Sequence, residues 1–384
     1  MNILFLSPWY PHRYDSMAGL FVQKHAEAVA LYADVKVLYV HADNNIKDFE
    51  IVVDRYNDIE EYRVYYPNNN KSFLRKITKT INYFNAYKKG FDAIRKAGWQ
   101  PDIIHTNVLT RTPLIGYLYK LKHKTPYIIT EHWTRLLVSR NQFHGFFRKT
   151  AAKIIVKNAA YILPVSEELL DGLKFNRLLL TKFLVVENVV DKCFYESYTI
   201  DSRSKKRLLN VTCFLEEAKN LIGLLRAIKK LSLIRTDFEM IFIGTGVDFD
   251  RTYNYYESLN FPNGIVQFVG EKTSTEVAEY MHNSDIVVQF SNYESAGVVV
   301  EESLACGTPI ISTKVGIAPN FINDTNGRLV NVGDEESLTQ ALNYVLDHPE
   351  AFDRHLIQNV ARPLFSYENI GQKLFTVYQH CLKG

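Results

Sequence analysis

The strongest constraint in this chain is an alternation of apolar runs and helical segments that restarts half-way. Short runs rich in β-branched residues, at 3–7, 35–41, 102–106, 127–132, 161–166 and 183–187, read as strands. Segments of helical periodicity separate most of them, notably 20–32, 72–96 and 146–157. A second series follows, with strand-like runs at 208–214, 239–244, 266–270, 286–291 and 309–313 and helices at 220–233, 274–282, 298–306 and 337–346. Strands alternating with helices predict parallel, doubly wound sheets. Between the two series lies a polar stretch, 190–206, containing Asp201-Ser202-Arg203-Ser204-Lys205-Lys206, the best candidate linker. With 384 residues, the chain then divides into a Rossmann-like domain over 1–190 and another from 191 onward. Two such halves facing each other across a cleft make that cleft the default ligand site.

Composition narrows the function classes. Lys and Arg number 45 against 42 Asp and Glu, too even a balance for a dedicated nucleic-acid binder. The four cysteines, Cys193, Cys213, Cys306 and Cys381, are scattered and form no C-x-x-C pair, so neither a disulfide framework nor a cysteine zinc site is expected. The start, Met1-Asn2-Ile3-Leu4-Phe5-Leu6-Ser7-Pro8, lacks a basic region and a long apolar run, and no window approaches a membrane span. The expectation is a cytoplasmic protein.

The most informative stretch runs from Asn292-Tyr293-Glu294 through Gly297-Val298 to Glu302 and ends at Cys306-Gly307-Thr308-Pro309. A strand leads into a loop carrying Glu294, and a helix then starts at Gly297-Val298. A helix start offers unpaired backbone N–H groups and the positive end of the dipole to an anion. Glu302 lies eight residues after Glu294, about two helical turns on. One carboxylate can then face a reacting sugar while the other reaches a ribose diol. A loop glutamate followed by a solvated helix glutamate is the plainer alternative.

This stretch resembles the donor-site signature of family-4 retaining glycosyltransferases, the glycosyl transferases group 1 of the GT-B fold. The resemblance is strongest from Lys219 to Val330 and covers most of the chain. It implies a nucleotide-diphospho-sugar donor bound by the C-terminal domain, no metal and no other cofactor. It also implies a final segment, 365–384, that crosses back onto the first domain, which leaves 191–364 as the donor domain. Lys219, in Glu217-Ala218-Lys219-Asn220, resembles the lysine that contacts the donor diphosphate. The arginine that the family carries upstream is missing, since Thr212-Cys213-Phe214 stands there. Gly244-Thr245-Gly246 resembles the family's Gly-x-Gly turn, and Gly270-Glu271 falls where backbone meets the nucleotide base, although an ordinary βα turn explains it equally well. In the first half, Ala18-Gly19 stands where the family has a glycine-rich turn near acceptor and phosphates; a plain tight turn is the alternative. His132, at the end of a strand, matches a histidine that touches donor-sugar hydroxyls. The Glu187-Asn188-Val189-Val190-Asp191 segment resembles the family's hinge.

Asp248-Phe249-Asp250 is a literal Asp-x-Asp, the metal–nucleotide motif of an unrelated class of transferases. A carboxylate pair at a helix start is the blander account. Charge is uneven: residues 1–190 hold 27 Lys and Arg against 17 Asp and Glu, a net +10, which leaves −7 for the remainder. Much of the excess lies in Lys71, Arg75, Lys76, Lys79, Lys88, Lys89, Arg95 and Lys96, beside an apolar stripe of Phe73, Ile77, Phe84, Tyr87, Phe91 and Ile94. Arg148, Lys149, Lys153 and Lys157 form a second basic helix. Such helices either dock peripherally on an anionic membrane at its inner face or pack their apolar stripe on the sheet with solvated lysines.

The residues and the resemblance together point to a retaining, metal-independent glycosyltransferase. It would move a sugar from a nucleotide-diphospho-sugar to an acceptor hydroxyl on a glycan or lipid-linked acceptor, in cell-surface polysaccharide or glycolipid assembly. Lys219 and the Gly297-Val298 amides would stabilise the leaving diphosphate, Glu302 the ribose and Glu294 the sugar. A sugar-nucleotide epimerase or hydrolase of the same fold, or a non-catalytic partner protein, are the rival readings.

Overall fold

The computed structural model describes residues 1–68, 75–196, 198 and 203–383. Lys71, Ser72 and Phe73 of the expected basic helix, and Asp201 and Ser202 of the expected linker, lie outside the described residues, as does the side chain of Arg75. The chain forms two compact units. The first comprises Met1–Val165, Leu169–Val189 and Tyr367–Gly384, and the second Ser166–Glu168 and Val190–Ser366.

The elements of the first unit follow in order: β1 (Asn2–Ser7), α1 (Leu20–Ala30), β2 (Asp34–Asp43), β3 (Glu50–Tyr56), β4 (Ile59–Pro67), α2 (Arg75–Lys96), β5 (Ile103–Asn107), α3 (Thr112–His123), β6 (Tyr127–Glu131), α4 (Phe146–Asn158), β7 (Tyr161–Pro164), α5 (Glu167–Phe175) and β8 (Lys182–Phe183). The sheet order is β3-β4-β2-β1-β5-β6-β7-β8, parallel throughout except for the antiparallel β3–β4 hairpin. Its central strands are buried on both faces, β5 and β6 at every residue, which is why they read as unbroken apolar runs. The hairpin was not foreseen. It turns at Asn57, whose φ of 51° is the left-handed geometry that asparagine tolerates, and it sits at an edge where β3 is largely exposed and mixes charged with apolar residues.

The helix α2 divides the expected apolar stripe. Tyr83 and Tyr87 pack inward and Ile94 is 2% exposed, whereas Ile77 and Phe84 stay exposed at 58% and 36%. Gly90 sits under Leu38 of β2, where a Cβ would come within 2.3 Å of its side chain. The stripe is therefore core only in its C-terminal half.

In the second unit come β9 (Lys206–Val211), α6 (Glu216–Lys219), α7 (Leu221–Ser232), β10 (Phe238–Ile243), α8 (Phe249–Ser258), β11 (Val266–Phe268), α9 (Ser274–His282), β12 (Ile286–Gln289), α10 (Val298–Ala305), β13 (Ile310–Thr313), α11 (Ala318–Phe321), β14 (Gly327–Val330), α12 (Glu335–Asp347) and α13 (Arg354–Phe365). Its sheet order is β11-β10-β9-β12-β13-β14, all parallel. Numbered from β9, that is the doubly wound order 3-2-1-4-5-6, which reverses direction between β9 and β12. Amphipathic α7 buries Leu221, Leu224, Leu225, Ile228 and Leu231, and α9 opens on a Thr273–Glu276 capping box.

The last helix, α14 (Tyr367–Lys383), belongs to the first unit and packs on α1. Ile370, Leu374, Val377 and Tyr378 join the same buried cluster as Phe5, Val22 and Val29. Gly371 is required at that contact, because a Cβ there would stand 2.1 Å from the Ala28 carbonyl oxygen. No helix of the described residues is long and apolar enough to cross a membrane.

Candidate active site

In a doubly wound sheet the crevice opens beyond the carboxyl ends of the strands, where the winding reverses. In the second unit those ends belong to β9 and β12. The loop after β9 leads through α6 to Lys219, and the loop after β12 carries Ser291, Asn292 and Glu294. The two loops are tied together: the Asn292 N–H donates to the Ala218 carbonyl at 2.7 Å and its side-chain amide to the Glu217 carbonyl at 3.0 Å. Lys219 and Glu294 meet across this tie, with Nζ 2.5 Å from Oε1. The Ser291 hydroxyl donates to the same oxygen at 2.8 Å and is itself held by Thr313, whose hydroxyl donates to the Ser291 carbonyl. Glu294 is 9% exposed. Burial works against the Lys219 ammonium, but the adjacent Glu294 charge outweighs it and the pKa is raised, so the cation stays charged.

Immediately beyond Glu294 the chain enters α10 through Gly297, whose φ of 91° favours glycine. Its missing Cβ leaves room between Gln289 and Glu294: the built atom would lie 3.1 Å from the Gln289 amide nitrogen and 3.6 Å from Glu294 Cγ. Val298 opens the helix, so the first-turn amides and the positive dipole end lie beside the Lys219–Glu294 pair. Glu302 is half-buried further along α10, and its neighbour Glu301 is fully buried.

Three residues that spacing alone did not single out belong here. Gln289 is 5% exposed, yet neither its amide oxygen nor its nitrogen has a hydrogen-bond partner. A buried amide left unpaired is costly and marks a place where a ligand can supply the missing partners. Gly316, with a φ of 60°, lets the loop after β13 close on the site, since a Cβ would meet the Ala296 carbonyl at 2.1 Å and Glu294 Cβ at 3.0 Å. Ser291 is the third. A serine at a strand end carries no signal in sequence until the facing glutamate is known.

The glycine turns form a separate group. The Gly244 N–H donates to the Gly270 carbonyl at 2.8 Å, which joins the loops after β10 and β11, and exposed Glu271 follows. A Cβ on Gly244 would come within 1.8 Å of the Thr212 carbonyl oxygen, and one on Gly246 within 2.6 Å of the Phe214 backbone. The loops after β9 and β10 thus pack backbone to backbone, with Phe214 buried where the upstream arginine was absent from the sequence. Asp248 stands at the start of α8, and its carboxylate accepts the Glu216 N–H at 2.8 Å, while Asp250 lies exposed in the first helical turn. Asp248 thus ties the loop before α6 to the start of α8, and Asp250 is a solvent-exposed residue of the first helical turn. Among the described residues no cluster of three or more His, Cys, Asp or Glu is arranged to hold a metal ion.

The first unit places its expected residues at its own switch point, between β1 and β5. Gly19 starts α1 with a φ of 63°, and a Cβ would overlap the Trp9 backbone at 2.3 Å. The neighbouring Ala18 N–H is engaged by the Asp15 carboxylate at 3.0 Å. Phe21, just inside α1, packs against the His132 ring with centroids 4.5 Å apart and the planes tilted by 40°, so the Gly19 turn and His132 are brought together. His132 is buried with His25 and His105, and burial holds all three imidazoles well below their ordinary pKa, His25 at about 4. Glu131 is fully buried and pushed up to about 7 by desolvation, opposed by the N–H groups of Trp133, Leu109 and His132 that donate to it. Beside it, Val108 adopts a φ of 62°, a strained conformation for a β-branched residue.

Residues 200–362 match the model of glycosyl transferases group 1. The match lies wholly within the second unit, and by it the chain is similar to the group 1 glycosyltransferases. An uncharacterised glycosyltransferase of Methanocaldococcus jannaschii is 27% identical over 83% of this chain and 87% of its own length. Among solved structures, sucrose-phosphate synthase from Thermosynechococcus elongatus superposes with a TM-score of 0.79 at 20% identity, over 100% of this chain and 99% of that one. Anabaena HepE, solved with UDP and glucose, does so with a TM-score of 0.72 at 15% identity, over 99% and 100% respectively. The fold of this glycosyltransferase is therefore GT-B, built from two Rossmann-like units.

Proposed function

We propose that this glycosyltransferase is retaining and metal-independent, and that it moves a sugar from a nucleotide-diphospho-sugar to an acceptor hydroxyl on a glycan or lipid-linked acceptor. The observation that carries the reading is the Lys219–Glu294 pair at the switch point of the second unit, beside the N-terminus of α10. Cleaving the sugar–phosphate bond leaves negative charge on the departing diphosphate, where preorganised donors contribute most. The Lys219 ammonium and the amides of Gly297 and Val298 supply that positive field without a divalent cation. Glu294, held by Lys219 and Ser291, is placed to accept hydrogen bonds from sugar hydroxyls, and the unpaired Gln289 amide would complete the cradle. Glu302 would hold the ribose, and Gly244, Gly270 and Glu271 the base end. HepE was solved with UDP and glucose, which supports a nucleotide donor of this kind.

His132 and the Ala18-Gly19 turn, on the first unit, are assigned to the acceptor side. The acceptor hydroxyl attacks the face that the diphosphate leaves, and no enzyme nucleophile forms a covalent intermediate. The cationic first unit fits a role in cell-surface polysaccharide or glycolipid assembly, at the inner face of a membrane.

A panel of UDP-, GDP- and ADP-sugars tests the reading. Nucleotide release that requires an added acceptor, with the anomeric configuration kept in the product and unchanged by EDTA, is the expected result. Release independent of any acceptor points to the hydrolase or epimerase alternative, and no turnover of any donor to the non-catalytic one.

A further inference from the structure

Helix α4 of the first unit carries an anomaly that core packing does not explain. Its buried face is formed by Ala152, Ile155 and Val156. Yet Phe146 and Phe147, at its first two positions, are 79% and 86% exposed and lie edge to face with centroids 5.7 Å apart. Ile154 at 48% and Val138 at 44% add to the exposed apolar surface. Phe147, Ala151 and Ile154 recur at helical spacing, so the helix shows a second apolar stripe on its outer side.

The charge around this stripe has one sign. From His132 to Ser166 the sequence contains Arg135, Arg140, Arg148, Lys149, Lys153 and Lys157 and no Asp or Glu. Arg111, Arg148, Lys149, Lys153 and Lys157 have no ion-pair partner among the described residues. On α2, by contrast, Arg95 is paired with Asp92 and half of the apolar stripe is core. At the foot of α4 lies a cavity of about 310 Å³ lined by Arg111, Trp133, Phe143 and Arg148 among others. A surface of this kind, with protruding phenylalanines, flanking unpaired cations and a two-arginine pocket, matches the layering of an anionic bilayer. The phenylalanines fit the acyl boundary and the arginines the phosphate layer.

We propose that α4 is a bilayer-docking surface, with Phe146 and Phe147 inserted below the headgroups of an anionic membrane and a lipid phosphate held between Arg111 and Arg148. The proposal rests on the reading of a membrane-borne acceptor, and it adds which face of the first unit meets the membrane. It also explains why two large aromatics are left in solvent at a helix start.

The test is flotation of the full chain with vesicles of phosphatidylcholine containing 30% phosphatidylglycerol, without sugar nucleotide. Binding to these vesicles, lost in 0.5 M salt and weak on pure phosphatidylcholine, is expected. F146S/F147S should lower the partition coefficient at least about tenfold, and R111Q/R148Q severalfold. Both phenylalanines are exposed, so the double variant should keep its thermal midpoint and its UDP affinity. Equal partitioning of wild type and F146S/F147S, or equal binding to neutral and anionic vesicles, overturns the proposal, as does failure of the wild type to float. Because no donor is present, that failure leaves the donor site standing, and loss of transfer in a donor-site variant leaves the docking surface standing.

Discussion

The two units are built on the same alternation but use their switch points differently. In the second unit the reversal between β9 and β12 holds a charged pair, Lys219 and Glu294, largely buried beside a helix start. In the first unit the reversal between β1 and β5 is lined by buried neutral imidazoles and a buried glutamate of raised pKa. One switch point holds a cation paired with an anion. The other is organised to avoid charge, although that unit carries the larger net charge on its exterior. The same topology thus supplies a crevice, and the residues at the strand ends decide its chemistry.

The sharpest way to break this contrast is Glu294→Ala, which removes the carboxylate proposed to face the sugar and leaves Lys219 without its partner. Transfer should fall roughly 10³-fold, about 4 kcal/mol of transition-state stabilisation, and the thermal midpoint should fall too, since the buried Lys219 ammonium loses its partner. Full activity in this variant would remove the second-unit switch point as the donor site.

Next in size is a pH effect strongest in the first unit, where three burial-depressed histidines cluster against the single His282, at about 4, in the second. A histidine whose folded pKa is depressed contributes stability that is present above its unfolded value of 6.5 and is lost as pH falls toward the folded value. For His25, at about 4, the loss is about 3 kcal/mol. Glu131 acts oppositely: raised to about 7, its contribution is present below 4.5 and lost as pH rises through 7. Three imidazoles outweigh one carboxyl, so stability should rise from pH 4.5 to 6.5 and flatten above. Trp9, Trp99 and Trp133 are the three tryptophans of the chain and all lie in the first unit, so their fluorescence during urea unfolding follows that unit alone. A urea midpoint that does not move between these pH values would remove the histidines as the difference between the units.

Lys219→Ala should cost roughly 10²-fold in kcat/KM, about 2.7 kcal/mol, with most of the effect in kcat if the ammonium acts on the leaving diphosphate. An effect confined to donor KM would instead make it a ground-state contact. The smallest change is expected from Asp248→Ala. It removes the acceptor for the Glu216 N–H and should lower stability by about 1 kcal/mol, with transfer unaffected. Activity that depends on Mn²⁺ or Mg²⁺ and is lost in this variant would restore the metal reading of Asp248 and Asp250.

Much of the architecture was legible because central parallel strands are buried on both faces and leave unbroken apolar runs, as in β1, β5 and β12. The β3–β4 hairpin was not, since an exposed edge strand such as Glu50–Tyr56 mixes charge with β-branched residues and shows no buried face. At the candidate site, Glu294, Gly297 and Glu302 share one loop and helix and could be read from their spacing. Gln289, Ser291 and Gly316 could not, because their significance comes from the facing strand end or the neighbouring loop. Exposure was equally hidden: nothing in the sequence separates Phe146, which is in solvent, from Phe143, which is 1% exposed.

The placement of α14 has a consequence for biosynthesis. The β-sheet of the first unit is encoded in the first half of the chain, but its core is completed by Ile370, Leu374, Val377 and Tyr378, and the Tyr378 hydroxyl meets His105 Nδ1 at 2.7 Å. Those contacts span more than 270 positions. During synthesis the first unit therefore waits with part of its apolar surface uncovered while the whole second unit is made and folds. The first unit is therefore completed only after the second, by a helix that follows that unit in the chain.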